Sequence, residues 1–164
     1  MLIPYNRLPE NSKVWIYQAD RTFNLDEVST IELAIEDFVE NWKSHQVEVP
    51  AYGALYYRRF VVLIADNAQV NVSGCSIDSS VKLIKELEQA YQVNFFDRMK
   101  VCYKIQEQMV GSFSINQIEE LLNNGKINKD TIIFNNLVAN KLDFEQKWET
   151  PLSDSLLSRY LLVK

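Results

Sequence analysis

Cys75 has the surroundings best suited to chemistry. It stands in Ser73-Gly74-Cys75-Ser76, between an expected strand and an expected helix. At a helix start the first N–H groups have no intrahelical acceptor and the dipole end is positive. Both favour anions and lower a thiol pKa. Gly74 permits close backbone approach, Ser73 and Ser76 bring hydroxyl donors, and Asp78 follows in the same turn. Two chemistries fit. One is a reactive thiolate with Cys75 and Asp78 as catalytic candidates. The other is a small-anion or nucleotide site built from Ser73, Gly74, Cys75 and Ser76, with Arg58 and Asp66 as further ligand candidates. The same residue types also suit a plain strand-to-helix turn, capped by Ser76 with Cys75 packed as a small apolar residue.

The partners that such chemistry needs are scarce. The only histidine, His45, falls in the polar exit of the first helix, so no base is brought to Cys75 by sequence. Cys75 and Cys102 lie 27 positions apart and His45 lies 30 from Cys75, spacings that match no compact zinc pattern. A carboxylate-only metal site would have to use Asp66 and Asp78. The reading therefore expects no metal and no cofactor. Arg58 and Arg59 are expected in mid-strand, facing opposite ways, with one of them paired to a carboxylate at the sheet rim.

These residues are positioned by regular elements. Residues 13–18 are rich in aromatic and β-branched types and predict a strand. Asn24 with Glu27 three later reads as a capping box, and Val28, Ile31, Ile35, Phe38, Val39 and Trp42 recur at helical steps. Residues 54–65 predict one long strand, apolar on both faces in its second half and so covered on both sides. Val70 and Val72 suggest a short return strand. Ile77, Val81, Ile84, Leu87 and Tyr91 form the stripe of a second helix, and 99–105 is a further strand.

The expected class is α+β. Its order is β-α-β-β-α-β in a largely antiparallel sheet with two helices. Residues 1–98 would form this α+β part. Residues 99–164 would form a small helical region packed on its second face, as an appendage or as part of one single domain, with a helix from Ser114 that stops near Asn124-Gly125.

Composition narrows the function classes. The 164 residues carry 17 basic and 22 acidic side chains, a formal charge of −5. That leaves no basic surplus to grip a phosphate backbone, so no nucleic-acid partner is expected. No apolar run reaches 18 residues, the N-terminus lacks signal-peptide features, and two distant cysteines make no disulfide framework. The expectation is a cytoplasmic protein with no membrane partner.

Two resemblances add to this. Ser73-Gly-Cys-Ser-Ile-Asp78, Asn94-Phe-Phe-Asp-Arg98, Thr131-Ile-Ile-Phe-Asn-Asn136 and Trp148-Glu-Thr-Pro-Leu-Ser-Asp-Ser155 resemble a family of short, uncharacterised bacterial proteins often labelled ABC transporter ATPases. The chain has no Walker A motif. Its one Gly-Lys, Gly125-Lys126, is followed by Ile127 and has Glu120 where the first glycine belongs, so ABC-type ATP hydrolysis is not expected. Tyr103, Gly111-Ser-Phe-Ser114, Ile118, Leu121, Gly125, Ile127, Asp130-Thr131 and Phe134 look like a GYF-type domain. That resemblance implies a peptide-binding fold, with Tyr103, Phe113, Phe134 and Trp148 as peptide-binding candidates. Val101-Cys102 stands where that family opens with Trp-Tyr, Ser112 replaces its usual proline and Phe134 its later tryptophan, which removes aromatic stacking surface. The functional expectation is a non-catalytic interaction or scaffold protein with an unidentified protein or peptide partner. The alternative is the thiol enzyme or anion-binding protein centred on Cys75.

Overall fold

The computed structural model describes residues 1–68, 71–72 and 74–162, with Cys75 described only in its backbone. The chain is α+β, with antiparallel sheets and helices. β1 (Lys13–Gln18) leads into α1 (Leu25–Glu40). The Asn24 side chain accepts from the Glu27 N–H and Glu27 reaches back to the Asn24 N–H, which satisfies two orphan donors. A small ribbon, β2 (Lys43–Ser44) and β3 (Val47–Glu48), turns through His45 and Gln46, both with positive φ.

Residues expected as one strand form two, β4 (Ala51–Tyr56) and β5 (Phe60–Ala65). The chain reverses at Tyr57 and Arg58, with φ of 53° and 51°, and the Arg59 N–H closes the turn on the Tyr56 carbonyl. The hairpin expected later, with a return strand at Val70 and Val72, is replaced by this one. Val72 lies outside any strand and Val70 outside the described residues. No glycine marks the reversal, so the sequence carries no turn signal there.

The first sheet has the order β1-β5-β4, antiparallel throughout. All six residues of β5 are buried. Val61, Leu63 and Ala65 face α1 and α2 (Gly74–Tyr91), in a core with Ile31, Ile35, Val39 and Ile84. Phe60, Val62 and Ile64 face the other way, into a core with Cys102, Val110, Phe134, Phe144 and Trp148. The C-terminal third therefore covers the second face, as the two-faced apolar run requires.

The strand expected at 99–105 is β6 (Lys100–Gln106), but it joins a second sheet, of order β7-β6-β8-β9. Its neighbours are β7 (Met109–Ser114), β8 (Ile132–Phe134) and β9 (Glu149–Pro151). Both edges of the first sheet are partly taken by other segments. Residues 1–3 bond along β4 at Ala51, and Ala139 and Lys141 bond along the start of β1. The expected helix after Ser114 is a 3-10 turn leading into α3 (Ile118–Asn123), ended by Gly125 at φ +76°. A helix not foreseen, α4 (Lys141–Lys147), is capped by Asn140. Phe113, Ile118, Ile127 and Leu152 close a third, smaller core.

Candidate functional site

An open groove of about 690 Å³ lies at the junction of the two sheets. That is within the usual range for ligand sites. It exists because β6 and β8 share only one register pair, Tyr103 with Ile133. Beyond that pair the walls separate. Lys100, Val101 and Cys102 stand on one side and Phe134 to Leu137 on the other. The chain after β8 is held away from β6 by β9, because the Asn135 N–H donates to the Trp148 carbonyl at 2.6 Å. Leu137 and Leu156 line the mouth while 77% and 76% exposed, so apolar surface is presented to solvent at both.

One wall is polar and pre-ordered. Ile115 N–H bonds the Met99 carbonyl on the β7 side, so by antiparallel alternation the backbone groups of Lys100 face the groove edge. There the Gln18 side-chain amide donates to the Lys100 carbonyl at 3.1 Å, where a strand neighbour would otherwise bond. Asn136 donates from Nδ2 to Gln18 Oε1 at 2.9 Å, and Trp148 Nε1 donates to Asn136 Oδ1 at 3.0 Å. Each amide has two donors and an acceptor with two lone pairs. These bonds use one donor and one lone pair of each, so Gln18 and Asn136 each keep one of both.

Four charged side chains line the groove, with no net charge between them. Glu149 is held by Lys104 at 2.7 Å and by the Tyr57 hydroxyl, and Lys147 by Asp143 at 3.2 Å. Lys100 and Asp154 have no ion pair among the described residues.

Of the four peptide-binding candidates, only Phe134 touches the groove, and it is 7% exposed. Trp148 is inside, with its ring 4.8 Å from Phe144, 5.0 Å from Phe134 and 5.1 Å from Phe60. Phe113 is buried in the third core, with the half-buried Tyr103 ring 5.6 Å away. Three of these rings are therefore core rather than stacking platforms. Their apolar area is worth more against one another than against a passing ligand.

The region around Cys75 does not assemble as its spacing suggested. Ser73 and the Cys75 side chain lie outside the described residues. α2 begins at Gly74, so Ser76 is not its cap. Ser76 is fully buried in the first turn, its carbonyl accepts from Trp42 Nε1 at 3.0 Å, and its hydroxyl donates to the Lys43 carbonyl. Asp78 is exposed, and Asp66 accepts from the Ala68 N–H as a turn residue. Arg58 cannot reach this end. It sits exposed in the β4–β5 turn, and six residues of β5, about 20 Å of strand, separate it from Asp66.

One of Arg58 and Arg59 was expected to pair with a carboxylate, and among the described residues neither does. Arg59 is 4% exposed, donating from Nε to the Ala19 carbonyl at 3.0 Å and from Nη2 to Ser112 Oγ at 2.8 Å, which ties β7 to the first sheet. Burial pushes the nearby Cys102 thiol up to about 11, and the Arg59 charge offsets this only in part, so Cys102 is no nucleophile near neutral pH. Among the described residues no three of His, Cys, Asp or Glu come together to hold a metal ion. No described helix is long and apolar enough to cross a membrane.

Sequence reasoning passed over Gln18, Asn136, Leu137 and Leu156. Asn135-Asn136 after a short strand reads as a turn pair, and nothing in the type or spacing of Gln18 marks it. No protein-family model, no curated protein and no solved structure matches the chain.

Proposed function

We propose that this chain is a non-catalytic interaction protein of the cytoplasm and that the groove between its sheets holds a short peptide segment of a partner. The carrying observation is the wall of Gln18 and Asn136, which line the groove beside apolar Ile133, Phe134, Leu137 and Leu156 and each keep one donor and one lone pair. A peptide bond offers one donor and one acceptor, the complement of such an amide. Apolar side chains of the segment would cover Ile133, Phe134 and the Leu137 and Leu156 rim. Neutral lining charge favours neither a phosphate nor a metal. The buried, unpaired Cys102 supports a reducing compartment. The GYF-type likeness belongs to the same reading, because Tyr103, Phe113, Ile118, Leu121 and Ile127, which carry it, pack into one small core beside the groove.

The test is selection of random twelve-residue peptides, displayed on phage, against the full chain. Enriched peptides should lose at least tenfold in affinity for Leu137→Asp and Leu156→Asp variants, both of which alter exposed residues and leave the fold intact by circular dichroism. Failure to enrich any peptide, or equal binding to both variants, contradicts the reading.

A further inference from the structure

We propose that Asn124 is a modification site under conformational control: the backbone nitrogen of Gly125 displaces ammonia from its side-chain amide, water opens the ring to aspartate or isoaspartate, and the folded turn holds this reaction back. Asn124-Gly125 is the one place in the chain where glycine follows asparagine. Glycine has no Cβ to shield its nitrogen, and no other group stands within 4 Å of where a Cβ would be. Asn124 is exposed, so hydroxide and water reach it. The atoms balance with water alone. Hydroxide takes the Gly125 N–H proton, the nitrogen bonds to Asn124 Cγ, and Nδ2 leaves as ammonia after taking a proton from water. Water then cleaves the cyclic imide. Opening at Cγ gives aspartate, and opening at the backbone carbonyl gives isoaspartate.

The fold guards this path by geometry. A five-membered ring needs the Gly125 nitrogen to eclipse Cβ of Asn124. At the C-cap of α3, Asn124 has φ −87° and ψ 0°, so the Gly125 nitrogen eclipses the Asn124 nitrogen instead. Three hydrogen bonds hold that arrangement. The Gly125 N–H donates to the Leu122 carbonyl at 3.3 Å, and the Ile127 N–H to the Leu121 carbonyl at 3.2 Å. The Lys126 N–H donates to Asn124 Oδ1 at 2.9 Å, which keeps the side chain turned along its own loop. Ile127 is 1% exposed and anchors the turn in the third core, beside Phe113, Ile118 and Leu152. Ring closure therefore waits for a local opening of this turn. Either product adds a negative charge at the end of α3 where the helix dipole is already negative. Isoaspartate also adds a methylene to the backbone between Leu122 and buried Ile127.

The full chain is held at mildly alkaline pH, folded and in urea, and digested at intervals. Mass spectrometry reads the mass gained as amide becomes acid, and chromatography separates aspartate from isoaspartate. In urea, Asn124 should convert before every other asparagine, and Gly125→Ala should slow it. In the folded chain its rate should fall by roughly tenfold or more, with the Gly125 and Lys126 amides protected from hydrogen exchange by a similar factor. Ile127→Ala, checked for native circular dichroism, should convert Asn124 faster than the parent chain. Equal rates in the folded chain and in urea overturn the proposal, as does another asparagine converting first in urea or an unchanged rate in Gly125→Ala. An unchanged rate in folded Ile127→Ala contradicts the anchoring given to that side chain, and if this variant does not fold, the comparison of folded chain with urea still decides.

Discussion

The two faces of β5 are covered by different elements. On one, α1 and α2 lay Ile31, Ile35, Val39 and Ile84 against Val61, Leu63 and Ala65, in a core that also holds Phe23, Trp42 and Phe95, and the fit is tight enough that a Cβ at Gly53 would stand 2.7 Å from Ile35 and 2.8 Å from Val39. On the other, Phe60, Val62 and Ile64 meet rings: Tyr56, Tyr57, Phe134, Phe144 and Trp148. Rings are large and stiff, and Tyr and Trp have polar ends that need partners. Trp148 Nε1 finds Asn136, and the Tyr57 hydroxyl finds Glu149. On the helical face the ring ends are met within the packed core, Trp42 Nε1 by the Ser76 carbonyl and the Tyr17 hydroxyl by Ser80. The aromatic face ends in a polar network, and the groove opens beside that network. Charge divides in the same way: residues 1–98 hold 14 acidic and 9 basic side chains, so the whole formal charge of −5 resides there.

The sharpest way to break this contrast is Trp148→Ala. It removes a ring in contact with five others and leaves Asn136 Oδ1 without its donor. The expected loss is about 3–5 kcal/mol in urea unfolding. Hydrogen exchange should speed up first in β8 and β9, and equal acceleration in α1 would show that the two faces are one cooperative unit. Arg59→Ala comes next. The guanidinium is the buried tie between the sheets, and its removal strands the Ala19 carbonyl and Ser112 hydroxyl, for about 2–3 kcal/mol. Gly53→Ala disturbs only the helical face, by overpacking against Ile35 and Val39, and should cost about 1–3 kcal/mol while peptide affinity stays unchanged.

The smallest effect is a pH dependence of the helical half. Hydrogen bonds from Arg21 and from the Asn24 N–H hold the Glu27 carboxyl down at about 2, against an ordinary value of 4.5. A depressed carboxylate contributes stability that is complete above about pH 4.5 and is lost as pH falls through about 2. The difference in urea midpoint between the native chain and Glu27→Gln should therefore shrink from pH 6 to pH 2. A constant difference would show that the fork of Arg21 and Glu27 is not what titrates.

Much of the first half is legible from residue order alone. Strand 13–18, the Asn24–Glu27 box and the Ile31-Ile35-Val39 stripe follow from local propensity and period, and each is found where that reasoning places it. The β4–β5 reversal is not legible, because Tyr57 and Arg58 adopt positive φ without glycine or asparagine, and tertiary packing of the Tyr57 ring on Phe134 and Trp148 holds them there. The sheet joined by β6 is not legible either, since strand propensity does not say which edge is free. The candidate site fares worst. Cys75 stands out by type, whereas Gln18 and Asn136, 118 positions apart, matter only because the two sheets bring them together.

The most direct test is an amide-resolved NMR titration of the full chain with the selected peptide. The account predicts saturable shifts confined to Lys100–Cys102, Asn135–Leu137 and the Gln18 and Asn136 side-chain amides, with Ile31 to Val39 unmoved. Shifts centred on the start of α2 around Ser76 and Asp78, with the groove silent, would contradict it.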